Sequence, residues 1–221
     1  MTRTVLLDAL GTLVELQPPA PRLRALLAEE GLDVSEDQAA GAFAAEIAYY
    51  LDHHLEGADP EGLDDLRDRC ASVMLAALEL PGLDHATARR AMLAALRFEA
   101  YPEAVQALEE LRSQGRRLVV VSNWDCSLPH WLGHTGLLEL VHGLVTSADA
   151  RAAKPDPAIF HQALALAGCT PEQAVHVGDS LERDVEGARA AGIRAVLVAR
   201  AGEAPAGVER VSSLLELPSL L

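Results

Sequence analysis

Hydrophobic residues in this chain fall into short unbroken runs separated by longer stretches of helical period. The runs cover residues 4–7, 118–121, 144–145, 174–177 and 195–198, and each is followed by small or polar residues. Apolar, β-branched runs without alternation suit strands buried on both faces, as in a parallel sheet. Helical segments lie between them. Residues 102–112 place Val105, Leu108 and Leu111 on one stripe and stop at Gly115. Asp156 and Pro157 read as the N-cap and first-turn proline of a helix ending at Gly168, and residues 182–191 form another, closed by Gly192. This alternation predicts an α/β fold built on a doubly wound parallel sheet, in which ligands sit at the carboxyl ends of the strands.

The alternation is interrupted after the first run. Residues 18–101 are helical in pattern throughout, with candidate helices at 22–30, 36–51, 63–78 and 86–98 and breaks at Gly31, Gly57, Pro60, Pro81 and Gly82. No strand pattern occurs there. An insert of this length is too long for a connection. The expected organisation is a core of residues 1–17 plus 102–221 and a helical cap domain of residues 18–101.

Composition narrows the function. A length of 221 residues can bury a full core. No apolar run approaches the roughly 18 residues of a membrane span, and the N-terminus lacks the features of a signal peptide. Cys70, Cys126 and Cys169 lie far apart, which fits a reducing cytoplasm better than a disulfide framework. Thirty-three acidic against eighteen basic residues give a net charge of -15, which argues against nucleic-acid or anionic-membrane partners. An anionic substrate would need a local source of positive charge. Lys154 is the one lysine in the chain, against seventeen arginines.

Candidate chemistry lies where the strands end. Asp8 follows the first run, with Gly11 and Thr12 in the turn; such a carboxylate can bind a metal, act as a nucleophile or cap the turn. Ser122 and Asn123 close the second run and offer a hydroxyl and backbone N–H groups to an anion. Gly178 permits a tight turn, and Asp179 and Asp184 then either provide oxygen ligands for Mg²⁺ or serve the following helix as cap and dipole partner. Lys154 precedes a helix start and is either a solvated surface lysine or a compact ammonium that can insert between two carboxylates and a phosphate oxygen, where a planar guanidinium would be too large.

In order and placement these four pieces resemble the motifs of the haloacid dehalogenase (HAD) superfamily of hydrolases, in the subgroup with a helical cap inserted after the first strand. The resemblance implies a Rossmann-like core in which Asp8 is the nucleophile and a Mg²⁺ ligand. It assigns further metal contacts to the main-chain carbonyl of Leu10 and to Asp179 and Asp184, the last directly or through water. Ser122 and the N–H of Asn123 would hold phosphoryl oxygens, Gly11 and Thr12 would border the substrate, and Lys154 would neutralise charge between nucleophile and phosphate. The implied activity is that of a Mg²⁺-dependent phosphatase of a small phosphorylated metabolite, cytoplasmic, and a monomer or homodimer.

One position departs from the pattern. Phosphatases of the family usually carry a second aspartate where this chain has Leu10, and it protonates the leaving oxygen and later activates water. General acid–base help of this kind is worth about 10² to 10⁴ in rate. Asp125 or a cap histidine, His53 or His54, is a candidate replacement. Two alternatives stay open: a 2-haloacid dehalogenase, because halide leaves without a proton, and a catalytically weak binding or regulatory protein. The Gly178, Asp179 and Asp184 motif argues against the first. The cap contains no lysine, which argues against Schiff-base chemistry.

Overall fold

The computed structural model describes residues 3–202 and 205–221; residues 1, 2, 203 and 204 of the expected core lie outside the described residues. The chain folds as two compact units, one of Met1–Glu15 with Glu99–Leu221 and one of Leu16–Phe98.

The first unit is built on a six-stranded sheet. Its strands are β1 (Thr4–Leu7), β4 (Arg117–Ser122), β5 (Gly143–Thr146), β6 (Ala174–Gly178), β7 (Arg194–Val198) and β8 (Glu209–Val211), in the spatial order β5-β4-β1-β6-β7-β8. Every pairing is parallel. The unbroken apolar runs have a direct cause. Leu6, Val119, Val121, Ala195 and Leu197 point to one face, packed with Ile159, Phe160 and Val185. Their neighbours Val5, Leu7, Val120, Val177 and Val196 are fully buried on the other. β8 was not foreseen, because at this sheet edge only Val211 is buried.

The second unit is helical: α1 (Pro19–Glu29), α2 (Glu36–His53), α3 (Pro60–Leu78) and α4 (His85–Ala95). Ser35 and Gln38 form a reciprocal capping box at the start of α2, while Asp59 and Asp84 cap α3 and α4. Leu23, Leu27, Phe43, Leu66, Met74 and Met92 are among the residues of its own apolar core.

The structure corrects the sequence reading at the ends of this region. The expected helix over 86–98 stops at Ala95, Leu96 is already extended, and Phe98–Ala100 is a strand, β3. It pairs with β2 (Val14–Leu16), also unforeseen, in a two-stranded sheet that carries both chain crossings between the units. The Gln17 N–H donates to the Arg97 carbonyl at 2.9 Å, so the chain trades helical bonds for cross-strand ones. Three-residue strands with half-buried side chains leave no run for a sequence reading to detect.

The remaining helices of the first unit are α5 (Ala104–Ser113), α6 (Leu128–His134), α7 (Ser147–Ala150) and α8 (Pro157–Ala167). In α8, Asp156 caps the N-terminus and Gly168, at a φ of 64°, ends it. The expected helix over 182–191 begins instead as a wider π-turn, Leu181–Glu186, before one α-turn, Gly187–Ala190. Among the described residues no helix is long and apolar enough to cross a membrane.

Candidate active site

Strand order brings the site together. The chain builds outward from β1 through β4 to β5, then returns to the other side of β1 for β6, so the connections diverge beside β1. Such a reversal leaves a crevice at the carboxyl ends. Leu7 is level with Val120 on β4 and Val177 on β6, and the Asp8 N–H continues the ladder to the Val177 carbonyl at 2.9 Å. Asp8, Ser122 and Asp179 therefore leave three adjacent strands at one rim.

Lys154 lies between the carboxylates. Its Nζ donates to Asp8 Oδ1 at 2.7 Å and to Asp184 Oδ1 at 2.6 Å, with only 2% of the lysine side chain exposed. Ser122 Oγ donates to the same Asp8 oxygen at 2.9 Å. The backbone of Lys154 is fastened as well: Asn123 Nδ2 donates to its carbonyl at 2.9 Å and its N–H donates to Asn123 Oδ1 at 2.7 Å. The Asn123 side chain was not singled out from sequence, where only its N–H was assigned a part.

Glycines allow the close approach. Gly11 has a φ of 83°, and a Cβ there would fall inside the Asp179 carboxyl group. At Gly178 a Cβ would fall inside that of Asp184. Together they explain why residues without a side chain face these two carboxylates.

Asp8, Asp179 and Asp184 each offer an oxygen, and these oxygens lie within 4.8 Å of one another. Burial pushes the Asp8 carboxyl up, Lys154 and Ser122 offset this only in part, and the Asp184 charge adds to it. Asp184 is buried too, but Lys154 and then His176 overcome the burial and hold its carboxyl well below the usual range. Asp179 stays exposed, yet its carboxyl is pushed up to about 6, first by loss of water around it and then by the Asp8 and Asp184 charges. Burial alone would push the Lys154 ammonium down; the two carboxylates reverse this and hold it above the usual lysine range. One ammonium thus faces three carboxylates. An all-oxygen cluster with excess negative charge suits a hard divalent cation such as Mg²⁺, and lacks the nitrogen and sulfur donors typical of zinc.

The turn after Asp8 is held from a distance. Arg200, beyond β7, donates to the carbonyls of Gly11 at 2.7 Å and Thr12 at 2.9 Å, pairs with Glu103 at 3.0 Å, and stacks on Tyr101 at 3.4 Å. Thr12 is fully buried and its Oγ1 has no hydrogen-bond partner among the described residues, whereas Leu10 is 43% exposed. Asp125 is buried, and its Oδ1 accepts from the Ser127 N–H at 2.7 Å. In the helical unit, His53 at the end of α2 and His54 just after it each place Nδ1 2.8 Å from an α2 carbonyl, at Tyr49 and Leu51.

His176 and Arg200 escaped the sequence reading. Arg200 is separated from Gly11 by 189 positions, which no local pattern spans. His176 left a faint signal, as the polar residue inside an otherwise apolar strand.

Residues 2–192 match the haloacid dehalogenase-like hydrolase family, and the chain belongs to it. A bovine relative (Bos taurus), haloacid dehalogenase-like hydrolase domain-containing protein 3, is 46% identical over 96 residues, 43% of this chain and 38% of its own length. A phosphoserine phosphatase of Thermus thermophilus is 40% identical over 106 residues, 47% of this chain and 42% of its own. The matched stretches thus cover about two fifths of these relatives. Among solved structures, a HAD phosphatase from Thermococcus onnurineus superposes with a TM-score of 0.66 at 26% identity, covering 100% of this chain and 97% of that one.

Proposed function

We propose that this hydrolase is a Mg²⁺-dependent phosphatase in which Asp8 is the nucleophile and the helical unit is the cap that selects a small phosphorylated metabolite. The observation that carries the reading is the Lys154 ammonium held between Asp8 and Asp184, with Asp179 completing a carboxylate cluster. Similarity to phosphatases supports it.

Asp8, Asp179 and Asp184, with the Leu10 carbonyl, would hold the ion. When bound, Mg²⁺ supplies positive charge that offsets the phosphoryl oxygens. A carboxylate oxygen of Asp8 forms a bond to phosphorus as the bond to the leaving oxygen breaks, that oxygen keeping the electron pair. Water then attacks the phosphorus of the aspartyl phosphate, which releases inorganic phosphate and restores Asp8. Lys154 neutralises charge between nucleophile and phosphate, and Ser122 and the Asn123 N–H hold phosphoryl oxygens. Asp184 already accepts from Lys154 and His176 at Oδ1 and from the Ser180 N–H at Oδ2, which favours a metal contact through water.

Leu10 decides the substrate class. A leucine can neither protonate a leaving oxygen nor activate water, so the chemistry favours leaving groups that depart as stable anions. Acyl phosphates, phosphoric anhydrides and aryl phosphates meet that condition. Its exposed side chain offers such a group an apolar contact.

The experiment is phosphate release from acyl, aryl and alkyl phosphates by wild type, Asp8→Asn and Leu10→Asp, with Mg²⁺ and with chelator. Wild type is expected to prefer acyl and aryl phosphates and to stop with chelator. Asp8→Asn should lose turnover by on the order of 10³ or more. Leu10→Asp should gain up to about 10² to 10⁴ on alkyl phosphates, roughly 3 to 5 kcal/mol of barrier. No phosphate from any ester under either condition overturns the reading; halide release from a 2-haloacid without metal would replace it with the dehalogenase.

A further inference from the structure

We propose that His176 is a positioning residue that fixes the Asp184 carboxylate, and through it Lys154, in the arrangement the site uses. His176 lies on β6 with 1% of its surface exposed, and its Nε2 is 2.9 Å from Asp184 Oδ1. An ionised carboxylate can only accept, so Nε2 carries the shared proton. The same Asp184 oxygen accepts from Lys154 at 2.6 Å. The other oxygen accepts from the Ser180 N–H at 2.9 Å. Two of these donors come from β6 and the turn after it and the third from the segment before α8, and together they leave the carboxylate one orientation.

The imidazole is itself fixed from below. The Phe160 ring meets it edge to face, with centroids 5.0 Å apart and planes at 82°. Its Nδ1, by contrast, is buried with no hydrogen-bond partner among the described residues. A buried polar atom left unsatisfied costs stability, and an apolar side chain in this sheet would avoid that cost. The packing of β6 therefore gives no reason for a histidine, while the Nε2 contact gives one.

The consequence runs along the chain of contacts. Without the Nε2 donor, Asp184 is held by Lys154 and Ser180 alone, and its carboxylate gains freedom to rotate. Lys154 then loses its fixed second partner and ceases to be aimed at Asp8. The metal-related part of this inference rests on the phosphatase reading; the Lys154 part does not.

The lone lysine provides a readout that needs neither metal nor turnover. Amine acetylation followed by mass spectrometry reports Lys154 apart from the N-terminal amine. Wild-type Lys154 should label slowly, His176→Leu should label at least tenfold faster, and His176→Gln, whose amide can reach the Nε2 position, should return to the wild-type rate. In parallel, calorimetry with Mg²⁺ alone should show affinity reduced about 10- to 100-fold in His176→Leu and largely restored in His176→Gln. Should the leucine variant not fold, His176→Asn takes its place, since its shorter side chain falls short of Asp184 and predicts the same losses. Equal Lys154 labelling across wild type, His176→Gln and the shorter variant overturns the proposal. If labelling responds as expected while wild type binds no Mg²⁺ and releases no phosphate, the positioning role stands and the phosphatase reading falls.

Discussion

The two units of this protein bury different things. The helical unit has an apolar core and keeps its ion pairs outside, such as Arg89 with Asp68 at 2.7 Å and Arg90 with Glu30 at 3.0 Å. Its buried polar side chains, Glu46 and His54, lie on separate turns of the chain. The α/β unit instead buries Asp8, Lys154, Asp184, His176 and Ser122 as one connected network. Exposed pairs are worth little, whereas buried charges depend on each other: removing one strands the rest. The difference separates what holds each unit together from what the site costs.

Four changes test that separation. The largest effect is expected at Lys154→Met, which leaves Asp8 and Asp184 buried without their counter-charge; urea unfolding should show a loss of about 3 to 5 kcal/mol at neutral pH. Phosphate release should vanish with it. Next is Leu66→Ala in the helical core, where a cavity should cost roughly 2 to 5 kcal/mol while Mg²⁺ affinity measured on the folded protein stays put. An equal loss of metal binding there would break the comparison.

A smaller effect is predicted for pH. The Asp179 carboxyl is raised to about 6 from 3.8, so in the metal-free protein its contribution to stability is present below the unfolded value and lost as pH rises through 6. Mg²⁺ held as proposed would compete with that proton. Its affinity should fall about tenfold per pH unit below 6, as measured by calorimetric titration, and a flat profile would remove Asp179 from the ligand set. The smallest effect belongs to Arg90→Ala, whose exposed pair with Glu30 should be worth about 1 kcal/mol or less.

Much of the α/β unit was legible because a sheet covered on both faces writes itself as continuous apolar runs. The helical unit was legible by period and by breaks such as Gly31 and Pro60; its caps, Ser35 and Asp59 among them, came from the structure. The short strands β2, β3 and β8 were not, since each owes its conformation to a partner strand and offers few buried side chains of its own. At the site, the order of Asp8, Ser122, Lys154 and Asp179 with Asp184 pointed to the chemistry. The side chains that hold those residues, Asn123, His176 and Arg200, could not be found that way, because their bonds join positions far apart or sit inside an apolar strand.

Residue types and their order were enough for the alternation of strand and helix, the run of helices between β1 and β4, and the aspartates, serine and lysine that the fold brings together. Local sterics and periodic burial act within a few positions, and a linear string records them. Which oxygen of Asp184 faces Lys154, how Gly11 and Gly178 leave room for the Asp179 and Asp184 carboxylates, and how Arg200 grips the turn after Asp8 came from folding alone. Those contacts depend on strand register and through-space distance, and neither is written at any single position of the chain.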